Sequence, residues 1–444
     1  MIRRAPTDSN SIRFWLDLAL AACYVDAVHP PTLEFSAAET RLEPINLASL
    51  GRVRVLRALS GRPALSRAEL VQCTGLARAT VGSVIDDLID AGLVRKTGQS
   101  PASSMRTGRP PQLLSLEPRA AYAVGLDVGH DHVRAILTDL IGTTLWDQTV
   151  QLAVDDDPEG ALGTAVTLLD RAIAEVGVSR ERILGLGLGI ACPVDKNTGA
   201  LHAEGIMPGW LGMRPAEELT RRTGLTARII NDANAGVLAE RRFGVARDCA
   251  NVVYLRLSSG IGAGVLCDGR MLQGRGGLAG ELGHVTVEPH GDVCRCGNRG
   301  CLETVASPPA IAALLANSWR RPVTAADLPD LLREADRGTL RALEDAGEAV
   351  GRALAFTAML LNPELIVVGG DLAAAGDALF DPMRRSLARN TMTSHAHLRI
   401  VPSSLGDSAG VRGAAALVLE TVPERLTQIL VPAQRNGTDS KANK

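Results

Sequence analysis

Gly283-His284, followed by Cys294-Arg-Cys-Gly-Asn-Arg-Gly-Cys301-Leu-Glu303, is the most distinctive part of this 444-residue sequence. The candidate metal ligands, which fall within eighteen residues, are His284, Cys294, Cys296 and Cys301. Three thiolates and one imidazole suit tetrahedral Zn²⁺, and four protein ligands leave no open position for water. The spacing therefore predicts a structural zinc site.

Disulfide formation is the alternative use of these cysteines. The chain has eight cysteines, too few and too unevenly spread for a secreted disulfide scaffold, and the three local ones are an odd number. No uninterrupted run of about 20 apolar residues is present, so we expect no membrane span and a cytoplasmic protein. In a reducing compartment, metal binding is the favoured interpretation.

Composition bounds the class of protein. Hydrophobic residues make up 46% of the chain and charged residues 22%, which is typical of a soluble protein, and the length predicts two or three folding units. Because the net charge is only −2, any surface for nucleic acid must be a local basic patch.

Two segments, residues 122–139 and residues 252–268, repeat one pattern: an apolar strand, a glycine-containing turn and a second apolar strand. A duplicated, two-lobed phosphotransferase would show such a pair, with each turn offering backbone N–H groups to phosphate. Gly369-Gly370 follows a further apolar strand. The candidate phosphate-contacting residues are Asp127, Gly129, Gly260, Gly262, Gly369 and Gly370.

Together with Asn231-Asp232-Ala233-Asn234 and Glu281-Leu-Gly-His284, the cysteine-glycine stretch resembles the ROK family (repressor, open reading frame, kinase) from about residue 47 to 420. The resemblance implies an α/β, two-lobed, actin-like (ribonuclease-H-like) sugar-kinase fold with sugar bound in the cleft. It also implies that Asp232 would be the general base if the chain were a kinase.

Carboxylates and amides suit a ring of sugar hydroxyls, and His284 can bind metal through one ring nitrogen and turn the other toward the sugar. The candidate sugar-binding residues are Asn231, Asp232, Glu281, His284 and Glu303. The alternative is that these polar side chains cap helices or pair on the surface. Gly205 stands where the family often has an asparagine ahead of Pro208-Gly209-Trp210, which leaves the preferred sugar open.

The first turn argues against phosphoryl transfer. Kinases of the family carry an Asp-x-Gly-Gly-Thr-Lys-like turn, whereas this chain has Asp127-Val-Gly129-His130-Asp131-His132. A bulky imidazole and an extra carboxylate replace compact residues, and Asp131 beside a triphosphate adds like-charge repulsion. We therefore expect a sugar sensor without enzyme activity or bound ATP. A sugar kinase of the glucokinase or amino-sugar kinase type carrying a DNA-binding domain is the alternative, and a zinc enzyme is disfavoured because no ligand position stays open.

Three helices and two strands near the N-terminus predict a winged helix-turn-helix. Apolar residues recur at helical spacing from Leu47 to Leu59, Ser66 and Glu69 form a capping box, and a glycine turn at Gly75 precedes a third helix from about Arg78. Strands near Val94 and Leu113 would close a wing. The segment resembles the winged-helix domains of bacterial repressors, although Ala77 replaces their usual serine cap. A surface helix pair with a solvated basic loop is the alternative.

The third helix and the wing carry the residues expected to contact DNA. The N-terminal end of the helix faces base edges, and the glycine-relieved wing can carry an arginine into the minor groove. The candidate DNA-binding residues are Arg78, Thr80, Ser83, Arg95, Lys96, Arg106 and Arg109.

The domain prediction assigns an extension to residues 1–45 and the winged helix to 46–117. Lobe 1 takes 118–230 with a return at about 405–425, lobe 2 takes 231–404, and a tail takes 426–444. Lobe 2 includes residues 284–301, the cysteine loop, whose ligand-bearing turn forms the predicted zinc knuckle. The predicted function is a carbohydrate-responsive transcription regulator, most simply a repressor, with an operator DNA and a sugar effector as partners. A homodimer or homotetramer would match the two-fold symmetry of operators.

Overall fold

The computed structural model describes residues 47–62, 64–99, 111–393 and 398–429. The predicted fold class is confirmed, because a winged helix is followed by two α/β lobes, each built on a five-stranded sheet. The predicted extension at residues 1–45 lies outside the described residues, as do Arg106 and Arg109 of the wing. Among the described helices, none is both long enough and apolar enough to cross a bilayer.

The winged helix has the predicted order of elements and one extra strand. Its elements are α1 (Leu47–Leu59), β1 (Leu65–Ser66), α2 (Arg67–Thr74), α3 (Arg78–Asp90), β2 (Val94–Gln99) and β3 (Gln112–Leu116). Strand β3 pairs antiparallel with both β2 and β1, so the wing closes into a three-stranded sheet.

Local sequence explains these helices. The Ser66 side chain accepts from the Glu69 backbone N–H while the Glu69 carboxylate accepts from Ser66, so the predicted capping box is present. Ala77 at the start of α3 makes no side-chain cap. Helix α3 buries Val81, Val84, Ile85 and Leu88, which recur at the spacing of one helical face.

Helix α1 differs from the prediction in which face it buries. Leu50 is 39% exposed, whereas Val55, Leu56 and Leu59 are buried. The reason is tertiary, because the last described helix packs against α1 and helps to select its buried face.

Lobe 1 is built on a sheet with the strand order β6-β5-β4-β7-β8. Its elements are β4 (Tyr122–Val128), β5 (His132–Asp139), β6 (Thr144–Gln151), α4 (Pro158–Val176), β7 (Ile183–Ile190), α5 (Pro215–Thr223) and β8 (Ala227–Asn231). The first three strands pair antiparallel and the last two join in parallel.

Lobe 2 begins with α6 (Asp232–Phe243) and repeats the topology of lobe 1. Its further elements are β9 (Val252–Leu257), β10 (Ile261–Cys267), β11 (Arg270–Met271), α7 (Glu303–Ala306), α8 (Pro308–Trp319), α9 (Leu328–Arg333), α10 (Arg337–Leu361), β12 (Leu365–Gly369), α11 (Asp377–Asn390) and β13 (Arg399–Pro402). The order β11-β10-β9-β12-β13, with the same parallel and antiparallel pairings, makes the two sheets topological copies.

Two C-terminal helices, α12 (Ala409–Leu419) and α13 (Val422–Ile429), return to lobe 1. Helix α12 lies so close to β4 and β7 that a Cβ on Gly125 or Gly187 would fall 2.2 Å or 1.8 Å from helix carbonyl oxygens. Helix α13 contacts α1, and its buried Leu426 belongs to the core of the winged helix. The described fold thus continues past residue 425, where the sequence predicted a tail.

Candidate functional site

A cleft of about 520 Å³, part of it open to solvent, lies where the ends of the lobe 1 strands face β9, β10 and the cysteine loop. All five predicted sugar-binding side chains line it: Asn231, Asp232, Glu281, His284 and Glu303. Sequence positions more than seventy residues apart therefore meet in one cavity.

The junction of β8 and α6 holds Asn231 and Asp232. Asn231 caps α6 by accepting from the backbone N–H groups of Ala233 and Asn234 at 3.0 and 3.3 Å, and it donates to the Cys192 carbonyl at 3.3 Å. The helix-capping alternative is therefore true of Asn231, which also faces the cleft.

Asp232 is paired with an arginine that the sequence reasoning missed. Its Oδ2 lies 2.9 Å from Arg256 Nε, and its Oδ1 accepts from the Ala233 N–H at 2.7 Å. Burial raises the pKa of the Asp232 carboxyl, and the Arg256 guanidinium opposes that shift. A lone arginine within the apolar strand Val252–Leu257 is a signal that could have indicated this partner.

Glu303 joins the cysteine loop to the second glycine turn. Its carboxylate takes two bonds from Arg295, at 2.9 and 3.1 Å, and one from the Ile261 backbone N–H at 3.0 Å. Arg295, between two of the cysteines, was also missed. The backbone N–H that could meet a phosphate at this turn therefore meets a carboxylate of the protein.

The Glu281 carboxylate also lines the cleft. Among the described residues, none donates a hydrogen bond to it or forms an ion pair with it. Burial raises the pKa of its carboxyl to about 7, with Asp232 and Glu303 acting in the same direction and Arg295 opposing. A carboxyl with spare acceptor capacity suits a hydroxyl-bearing ligand.

The cysteine loop brings the predicted metal ligands together. All donor atoms of His284, Cys294, Cys296 and Cys301 lie within 4.8 Å of one another. The Cys296 and Cys301 sulfurs are 3.6 Å apart, and the Cys294 sulfur is 3.6 Å from His284 Nδ1. Tetrahedral Zn–S bonds of about 2.3 Å imply ligand separations of roughly 3.8 Å, so the cluster can hold a metal ion. The Nδ1 side of His284 faces this cluster while its ring also lines the cleft.

The first turn is filled by a histidine ring. A Cβ on Gly129 would lie 2.3 Å from Cε1 of His132, whose Nε2 is 3.8 Å from Asp127 Oδ2 and whose Nδ1 is 2.8 Å from Asp131. Asp127 raises the pKa of His132 to about 9, against the effect of burial and with support from Asp131. The Asp131 side chain is 83% exposed. The obstacle at this turn is therefore the ring of His132, whereas the sequence had predicted repulsion by the Asp131 charge.

The remaining predicted glycines have different surroundings. A Cβ on Gly369 would meet the Tyr254 hydroxyl at 2.2 Å, and Gly370 has φ +84° and lies against the Leu257 carbonyl, so both positions require glycine. A Cβ on Gly260 would lie 2.9 Å from Arg295 Nη2 and 3.1 Å from Glu303 Oε2, whereas one on Gly262 would make only an ordinary contact, at 3.4 Å.

The described DNA-facing candidates are all exposed: Arg78, Thr80, Ser83, Arg95 and Lys96. Two acids late in α3 are paired, Asp86 with Arg67 at 2.7 Å and Asp87 with Arg52 at 3.0 Å. Arg67 also lies over Gly82, with its Nη1 3.4 Å from the position that a Cβ on this glycine would take.

Comparisons with known proteins agree with this architecture. The ROK family profile matches residues 123–421, and the chain belongs to the ROK family. A MarR family profile matches residues 47–102, so a MarR-type winged helix precedes the ROK domain.

Relatives of two kinds are similar to this chain. The "Xylose repressor" of Bacillus spizizenii is 30% identical over 82% of this chain and 94% of its own length. The "Glucokinase" of Thermotoga maritima is 33% identical over 67% of this chain and 98% of its own. A crystal structure titled as a ROK family transcriptional regulator, homologue of E. coli MLC, superposes with TM-score 0.73 and 27% identity over 87% of this chain and 99% of that one.

Proposed function

We propose that this protein is a DNA-binding transcription repressor of carbohydrate genes that responds to a sugar in the interlobe cleft. The observation that carries the proposal is that likeness to a repressor extends over both the winged helix and the cleft-bearing lobes. The convergence of five polar side chains on the cleft supports a polyhydroxylated ligand.

For the sugar, we propose that Asp232 and Glu281 accept from hydroxyls and that the ring nitrogen of His284 turned away from the knuckle makes a further bond. Glu281 has free acceptor capacity in this structure. Asn231 fixes the start of α6, and Glu303 fixes the second turn through Ile261. Asn231 and Glu303 would contact the sugar only through hydrogen-bonding capacity that these internal bonds leave free.

For the knuckle, we propose a structural Zn²⁺ held by His284, Cys294, Cys296 and Cys301. The donor set and the two 3.6 Å separations support this ion. The ion would cross-link the loop that connects Glu281 with Glu303, and it would take part in no catalytic step. His284 connects the knuckle to the cleft.

For DNA, we propose that residues 46–117 form the binding domain and that a homodimer inserts two α3 helices into successive major grooves. Exposed Arg78, Thr80 and Ser83 at the start of α3 support base contact, and Arg95 and Lys96 support phosphate contact. Sugar binding would close the lobes and change the spacing of the two winged helices.

A sugar kinase is the second candidate, because a glucokinase is 33% identical over the ROK domain. Two contacts oppose it. The His132 ring fills the approach to Gly129, and Arg256 occupies one oxygen of Asp232. Phosphoryl transfer requires a positioned nucleotide and metal as well as a base.

The proposal is tested by gel shifts at fixed salt, using DNA selected from a random pool by the full-length protein. A panel of pentoses, hexoses and amino sugars should contain one class that changes DNA affinity by about tenfold or more, a coupling of roughly 1.4 kcal/mol. Asp232→Asn should lose that response and keep DNA binding, whereas Asp377→Asn, at an exposed position of α11, should behave as wild type.

DNA affinity that is indifferent to every sugar would contradict the sensor. ATP-dependent sugar phosphorylation at ordinary kinase turnover, abolished by Asp232→Asn, would establish the kinase instead.

A further inference from the structure

Arg256 stands among the carboxylates that surround the inner end of the cleft. Its Nε lies 2.9 Å from Asp232 Oδ2, and the side chains of this pair are only 18% and 13% exposed. Burial lowers the pKa of Arg256, but Asp232, Asp127 and Asp371 outweigh this and hold its pKa above its usual range. Arg256 therefore helps to compensate acids of both lobes, with Asp232 as its ion-pair partner.

The surrounding acids have their own places in the fold. Asp127 is 4% exposed on β4 and also faces His132, and Asp371 accepts from the Ser258 hydroxyl at the second turn. Arg256 is thus in contact with Asp232 and is influenced electrostatically by Asp127 and Asp371. A metal-dependent phosphotransferase needs a divalent cation in such a cleft, bound by carboxylates and nucleotide phosphates.

This cleft does not fit that cation. Mg²⁺ requires oxygen ligands at about 2.0–2.1 Å in octahedral geometry, and a guanidinium on the same carboxylate oxygen excludes and repels it. On the phosphate side, the His132 ring lies where a ligand would approach Gly129.

We propose that Arg256 takes the place of the divalent metal ion, so that the cleft recognises its carbohydrate without metal or nucleotide. The inference rests on the proposed function because it concerns the same cleft. Its consequence is that Asp232 is held in place as a hydrogen-bond acceptor for a sugar hydroxyl, and that Arg256 is the residue that positions it.

An ordinary structural ion pair is the competing interpretation. A structural pair needs only one carboxylate, and its removal would leave the protein less stable and no more able to bind metal. Replacement of a metal ion makes a different prediction. Without Arg256, the clustered acids should bind a divalent cation.

The experiment uses the zinc-loaded, full-length protein and titrates Mn²⁺ by calorimetry. Wild type and Arg256→Lys, which keeps the charge, should show no saturable site at millimolar Mn²⁺. Arg256→Gln should bind Mn²⁺ at least about tenfold more tightly than wild type, because a unit positive charge has been removed beside the ion. Adding Asp232→Asn to Arg256→Gln should abolish the new site.

If Arg256→Gln is less stable than wild type, the test remains decisive. Mn²⁺ should then raise the melting temperature of Arg256→Gln but not that of wild type or Arg256→Lys. A saturable Mn²⁺ site in wild type that Asp232→Asn removes would overturn the proposal. Arg256→Gln with neither Mn²⁺ binding nor a melting shift would overturn it as well. Sugar-indifferent DNA binding, in contrast, would remove the proposed sensor without affecting this result.

Discussion

At the scale of single residues, basic side chains occupy the positions that matter most in the cleft. Arg256 holds Asp232, Arg295 holds Glu303, and His132 lies against Gly129. The two arginines each engage a carboxylate, and the His132 ring occupies space beside Gly129, so these positions are less available to a nucleotide phosphate or its metal ion. The polar capacity that remains, chiefly at Glu281, is suited to hydroxyl groups.

His132 also predicts a pH dependence of stability. Its pKa is raised from 6.5 to about 9, first by Asp127 and then by Asp131. A raised histidine pKa stabilises the fold fully below about pH 6.5, and this stabilisation is lost as the pH rises through about 9. The free energy of unfolding of wild type should exceed that of His132→Gln by up to about 3 kcal/mol at pH 6 and by little at pH 10.

Urea unfolding of both proteins across this range measures the difference. His290→Gln, at an exposed position, serves as the control and should follow wild type at every pH. A wild-type advantage that stays constant from pH 6 to pH 10 would show that the charge of His132 is not the cause.

At the scale of elements, the cysteine loop is linked to the second glycine turn. The loop carries the candidate metal ligands, while Arg295 within it binds Glu303, which in turn binds the backbone of the second turn. An ordered loop is therefore a condition for an ordered cleft. We therefore expect a metal ion bound by the loop to influence ligand affinity.

Cys296→Ser tests the loop, since Cys296 is exposed and its replacement creates no cavity. Losing a direct ligand should weaken zinc binding by more than the roughly 10- to 100-fold that an outer-shell partner costs. We expect elemental analysis to find one zinc per wild-type chain and substantially less in the variant, with a lower melting temperature. Cys267→Ser, also exposed, should retain the metal. Zinc-free wild-type protein with an unchanged cleft would contradict the prediction.

At the scale of the whole molecule, the winged helix shares a hydrophobic core with lobe 1. Leu419, Val422 and Leu426 of the C-terminal helices join the same core as Leu56 of α1 and Ala123 of β4. Arg57 of α1 additionally pairs with Glu424 of α13. The winged helix and lobe 1 are therefore packed together through the C-terminal helices.

Leu426→Ala tests whether the winged helix depends on α13 for its stability. Leu426 is fully buried, and removing a buried leucine side chain costs about 2–5 kcal/mol. Leu314→Ala, at a position 53% exposed, should cost within about 0.5 kcal/mol. Denaturant unfolding together with the gel shift measures both effects, and we expect DNA affinity to fall only in Leu426→Ala. Equal stability of the two variants would show that α13 does not support the winged helix.

The sequence by itself predicted the three helices and two wing strands of the winged helix from local periodicity and a cap, and a candidate metal-ligand set from its close spacing. The two-lobed fold and the five candidate polar residues of the cleft were predicted from the resemblance of its motifs to the ROK family. Tertiary structure alone decided the partners of those residues: Arg256 for Asp232, Ile261 for Glu303, and α13 for α1. The physical reason is that such contacts join strands and helices distant in sequence, and a charge or an apolar face does not name its partner until packing brings the two together.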